Sequence, residues 1–129
     1  MGIRAMNHFT VLARDLAASK AFYIDLLGLA DGPRPPFDFP GAWLYINDDP
    51  VLHIIAGQPV PEPPAGVLDH MAFSASNLSG TVARLKQHKI PYELRRQPGH
   101  RTWQLFCHDP SGAKVELDFA PDEPAPAAN

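Results

Sequence analysis

Two stretches of this chain read alike, and their spacing limits the folds open to it. Asn7-His8-Phe9-Thr10-Val11 is answered 62 residues later by Asp69-His70-Met71-Ala72-Phe73. Each stretch leads at the same offset into a capped helical pattern, Asp15-Leu16 and Asn77-Leu78. Each half closes on an apolar run carrying one metal-capable residue, His53 in Val51–Ile55 and Glu116 in Lys114–Phe119. With only 129 residues, the duplication lies inside one domain of ordinary size. Two copies of this period are too few for a solenoid. A duplicated unit that returns a potential ligand at matching places suggests a single metal site served by both halves.

Strand and helix signals recur in the same order in each half. The first half predicts a strand over 3–13, a helix over 16–27 capped by Asp15 and stopped by Gly28, a weak strand or loop over 32–39, and strands over 42–46 and 51–56. The turn formers Asn47-Asp48-Asp49-Pro50 separate the last two. The second half predicts a strand over 67–75, a helix over 78–88 capped by Asn77, and strands over 92–96, 102–107 and 113–119. The order βαβββ therefore occurs twice. Helices laid on one face of mainly antiparallel sheet make the fold class α+β. The two modules span 1–56 and 67–119. A proline-rich connector at 57–66 joins them, and an acidic, alanine-rich tail over 120–129 is expected on the surface.

Side-chain parity places the candidate ligands. In the last strand Val115, Leu117 and Phe119 point to one face, while Lys114, Glu116 and Asp118 point to the other. The same test sets His8 opposite Phe9 and Val11, and His70 opposite Met71 and Phe73. These residues face away from the helix-packing side. Histidine and glutamate together suit a divalent transition metal such as zinc, nickel, manganese or iron. A lone strand histidine is ordinarily a core or surface residue; matching positions in a repeat are what set these apart.

Bulk properties exclude several classes. A formal net charge of −3 leaves no electrostatic footprint for nucleic acid. No apolar run approaches the roughly 20 residues that span a bilayer, and the N-terminal residues carry no signal-peptide core. The single cysteine, Cys107, rules out an internal disulfide and fits a reducing compartment, so a cytoplasmic location is expected.

The pattern resembles the vicinal oxygen chelate superfamily, which holds glyoxalase I, methylmalonyl-CoA epimerase, fosfomycin-resistance thiol transferases, extradiol dioxygenases and bleomycin-binding proteins. Asn7-His8-Phe9 carries the resemblance, with Asp15 through Tyr23, Leu27-Gly28-Leu29, Asp69 through Phe73, and Asp109 through Leu117. It implies a cup of paired modules around a single divalent metal, with His8, His70 and Glu116 as ligands. His53 stands where glyoxalase I usually has glutamate, and could be a fourth ligand, a proton shuttle or a substrate contact. The resemblance implies a metal-dependent isomerase, lyase or epimerase. Its small-molecule substrate presents neighbouring oxygens, and Glu116 and His53 are the proton-transfer groups. An extradiol iron dioxygenase is the alternative, but the tyrosine usually ahead of the glutamate is unmatched, that stretch offering Trp103 and Phe106, and such chains are longer. A drug-binding module is a further alternative, although such members generally lack the ligand set. A homodimer is also implied, because modules in this superfamily often complete their cup across a two-fold interface.

Overall fold

The structure is a computed structural model that describes residues 2–127. Residue 1 and the tail positions 128 and 129 lie outside the described residues. The chain divides into two compact units, Met1–Glu62 and Pro63–Asn129, with the boundary inside the proline-rich connector.

The first unit contains β1 (Phe9–Ala13), α1 (Leu16–Ala21), β2 (Ala30–Gly32), β3 (Gly41–Ile46) and β4 (Asp49–Ala56). The second contains β5 (Met71–Ser74), α2 (Leu78–Gln87), β6 (Tyr92–Arg96), β7 (Trp103–His108) and β8 (Lys114–Phe119). The sheets have the same topology, β1-β4-β3-β2 and β5-β8-β7-β6. In each, the first strand runs parallel to the last and the other pairs are antiparallel. The repeated βαβββ order is thus realised as two four-stranded mixed sheets, which is the α+β class anticipated.

Several boundaries differ from the sequence reading. The first strand was expected from Ile3 and the fifth from Val67, yet they begin at Phe9 and Met71. The alternation continues upstream, but the parallel partner runs out. Phe9 pairs with Leu52 on a strand that starts at Asp49, and Met71 pairs with Val115 on one that starts at Lys114. Ile3 and Val67 are left fully exposed. Of the weak strand or loop read over 32–39, the loop is what forms beyond Gly32, because Pro33, Pro35 and Pro36 have no N–H to give a neighbour. The turn before β4 is shorter than expected. Ile46 pairs with Asp49, and Pro50 enters the strand at the register irregularity beside β3, where its missing donor is tolerated.

The first helix also departs from a plain α-helix. After Ala21 it widens into a π-helical turn, Phe22–Leu26, which buries Phe22, Tyr23 and Leu26. Gly28 closes it at φ +87°, a left-handed conformation suited to glycine. These side chains lie in a core with Val11, Ala42, Leu44, Leu52 and Ile54. The second unit buries Leu78, Val82 and Leu85 of α2 with Leu105, Cys107, Val115, Leu117 and Phe119. One face of each sheet is consumed this way, so the opposite face is left for chemistry.

The tail is tied down rather than loose. Glu123 accepts the backbone N–H groups of Leu78 at 2.7 Å and Asn77 at 3.1 Å, satisfying donors at the start of α2. Its carbonyl accepts the Trp103 indole N–H at 2.9 Å, and Arg96 donates to the Pro121 carbonyl at 2.8 Å.

Candidate functional site

His8 and His70 occupy equivalent places, each one residue before the first strand of its unit. The residue before each histidine grips the ring. Asn7 Oδ1 lies 2.7 Å from Nδ1 of His8, and Asp69 Oδ2 lies 2.7 Å from Nδ1 of His70. An ionised carboxylate only accepts, so the proton of that bond sits on His70 Nδ1 and Nε2 is the remaining ligating atom. Donation from His70 holds the Asp69 carboxyl below the usual carboxylate range, and Lys114, 3.5 Å away, assists.

In the second unit His70 Nε2 stands 2.9 Å from Glu116 Oε1. The parallel register sets this up, pairing Ala72 with Glu116 and so bringing the strand entry at His70 beside Lys114 and Glu116. Glu116 is buried, at 6% exposure, and Gln104 on the neighbouring strand donates to its Oε2 at 3.2 Å. Phe106 and His70 meet edge to face, 6.0 Å apart between centroids. Asp118, two residues on and on the same face, has its carboxyl pushed up to about 6 by burial, by a hydrogen bond with Glu116 and by that residue's charge. Its Oδ1 is buried without a hydrogen-bond partner.

The first unit arranges its pair differently. The His8 and His53 rings stack with centroids 3.7 Å apart and planes 15° apart. Trp43, directly across from His53 in the register, stacks on the other face at 4.0 Å and 9°. His53 Nε2 is turned to the Pro50 carbonyl at 3.1 Å. Burial lowers the His53 pKa, the charge of His8 lowers it further, and the Pro50 carbonyl opposes both.

The four candidate ligands are therefore brought together as two pairs, His8 with His53 and His70 with Glu116. Among the described residues no three His, Cys, Asp or Glu side chains form a group able to hold a metal ion. The His70–Glu116 pair fits a divalent cation. Ligands about 2.1 Å from a metal and at right angles around it sit about 3 Å apart, and Nδ1 is held from behind by a carboxylate. His53 does not fit as a co-ligand of His8. Nitrogen lone pairs lie in the ring plane, so two nearly parallel stacked rings aim past each other. Its ring is instead the middle layer of a stack.

Sequence reasoning missed Asn7 and Asp69 as ring-holding residues, and Gln104 and Asp118 as partners of Glu116. The first two had a signal, since each precedes its histidine in the repeat. The last two become visible only through the register of β7 and β8. His88 and His100 play no part here, the former bonding the Arg84 carbonyl at the end of its helix.

Comparison with known proteins agrees with this architecture. The Glyoxalase/Bleomycin resistance protein/Dioxygenase superfamily matches residues 5–117, and the chain belongs to that superfamily. It is 31% identical over 125 residues to protein YaeR of Escherichia coli, covering 91% of this chain and 97% of that one. It is 29% identical over 122 residues to Glyoxylase I 4 of Arabidopsis thaliana, covering 89% and 70%. A glyoxalase family protein from Enterococcus faecalis superposes with a TM-score of 0.67 at 26% identity, over 92% of this chain and 99% of that one.

Proposed function

We propose that this protein is a metal-dependent enzyme of the glyoxalase kind, an isomerase, lyase or epimerase. Its substrate is a small molecule with two neighbouring oxygens. The observation that carries the reading is the His70 ring, gripped at Nδ1 by Asp69 and facing Glu116 through Nε2. His70 and Glu116 hold a divalent cation such as zinc, nickel, manganese or iron, and His8, presented by the repeat in the same way, is a further ligand. The cation supplies Lewis acidity for negative charge developing on the substrate oxygens.

The remaining chemistry belongs to the side chains. Glu116 is the proton-moving carboxylate, and Gln104 steadies it from Oε2. Asp118 keeps its proton to a higher pH than an ordinary carboxyl, so below about pH 6 it adds no negative charge beside Glu116. Trp43 offers the ring face turned away from His53 as a wall against which a substrate lies, and His53, covered on both faces by His8 and Trp43, meets that substrate by its edge. We propose for His53 the substrate-contact role among the three open to it.

No described helix is long and apolar enough to cross a membrane. We place the protein in the cytoplasm, in keeping with its lone free thiol. We also propose a homodimer, supported by exposed apolar residues at equivalent repeat positions, Met6 and Leu68. Metal-loaded protein screened against 2-hydroxy and 1,2-dicarbonyl compounds tests the enzyme reading, with turnover that disappears after chelation as the expected result. Oxygen uptake on a catechol would replace it with the dioxygenase. Light scattering tests the dimer.

A further inference from the structure

On the open face of the first sheet, the His8–His53–Trp43 stack continues beyond the imidazoles. Phe37 lies 6.4 Å from Trp43 and 5.0 Å from Phe39, each measured between ring centroids. Arg34 sits at the end of this strip, its guanidinium carbon 5.2 Å from the centre of each phenylalanine ring. Gly41 makes room for it. A Cβ there would collide with the Ile54 carbonyl and come within 3.2 Å of Arg34 Nη2.

The guanidinium is poorly used by the protein. Nη2 donates to the Phe39 carbonyl at 3.1 Å. Nε is buried and has no hydrogen-bond partner. No ion pair to Arg34 occurs among the described residues. Bracing the 33–40 loop needs one donor, which glutamine or lysine would supply. That role leaves a half-buried, charged, five-donor fork with an unpartnered Nε unexplained. A guanidinium is matched in shape to a planar carboxylate, which it binds through two parallel N–H groups. The neighbouring rings are weakly polar and leave the cation without a counter-charge.

We propose that Arg34, with the rings of Phe37 and Trp43, is a recognition site for the carboxylate of a small planar acid. The single cation matches one negative charge. The Trp43 face turned away from His53 suits an aromatic or conjugated body. Phe37, 45% exposed, is the ring that yields to let an acceptor reach Nε. That this acid is the enzyme's substrate rests on the function proposed above; the binding itself does not.

The test uses benzoate, with benzamide as its neutral counterpart of similar shape, on full-length protein stripped of metal by a chelator. Binding is read by nuclear magnetic resonance from the Trp43 indole N–H, assigned with Trp43→Phe. Benzoate is expected to shift that resonance below about 10 mM, and benzamide to bind at least tenfold more weakly. Arg34→Gln, which keeps a donor for the Phe39 carbonyl, is expected to lose at least tenfold in benzoate affinity. Equal binding of benzoate and benzamide, no benzoate response at about 10 mM, or unchanged benzoate affinity in Arg34→Gln would each overturn the proposal. The comparison of the two ligands on unaltered protein decides the matter even if the variant does not fold. Benzoate binding by a protein that accepts no metal would sink the enzyme reading and leave this site standing.

Discussion

Asp69 Oδ2 is held 2.7 Å from His70 Nδ1, on the side of the ring away from Glu116. A histidine gripped in this way has its tautomer and its orientation set before any cation arrives. If His70 is the ligand proposed above, removing the grip weakens metal binding without removing a ligand. Asp69→Ala is expected to lower metal affinity by about 10- to 100-fold, and Asp69→Asn by less, because an amide oxygen still accepts. Competition against a chromophoric chelator measures both. Asn7→Ala should move affinity in the same direction through His8.

His53 gives the opposite result. Its ring stacks between His8 and Trp43 and turns Nε2 to a backbone carbonyl. His53→Phe keeps a flat ring in the stack and should leave metal affinity within about threefold of the original, a change of about 0.6 kcal/mol. A loss as large as that of His70→Ala in the same titration would make His53 a ligand after all.

The tail has a structural job. Glu123 satisfies two backbone donors at the start of α2 through both carboxylate oxygens. Glu123→Ala is expected to destabilise the protein by about 1 to 2 kcal/mol, with Glu123→Gln intermediate. Urea unfolding followed by fluorescence gives the value, and an unchanged midpoint would show that water replaces the cap.

How much of this could be read from the sequence divides along the range of the interactions. The βαβββ repeat was legible because alternation, caps and proline positions are local. His8 and His70 were legible because they recur at one period. The ends of β1 and β5 were not, since they are fixed by where β4 and β8 begin, far along the chain. The pairing of Glu116 with Gln104, and the stacking of Trp43 on His53, follow from cross-strand register, which pattern alone leaves open. The docking of Glu123 on α2 joins positions 45 apart and has no local signature.

Cys107 is a buried core residue whose thiol is pushed up to about 11 by burial, with the charge of Asp109 adding to it. The unfolded chain ionises near the ordinary value of 9.0. The thiol therefore contributes stability that is whole below that pH and lost as pH rises towards about 11. At pH 8 an aromatic disulfide reagent should label the folded protein far more slowly than the urea-unfolded one. Equal rates would mean that the thiol is accessible.

The central claim is that the His70–Glu116 pair, with its Asp69 grip, holds a divalent metal ion. Elemental analysis of protein purified without chelator, then equilibrated with zinc, nickel, manganese or ferrous iron, tests it most directly. The account predicts one tightly held ion per chain in the unaltered protein, lost in His70→Ala and Glu116→Ala variants that remain folded. A protein that retains none of these cations, or a His70→Ala variant that holds its metal as well as the original, would contradict it.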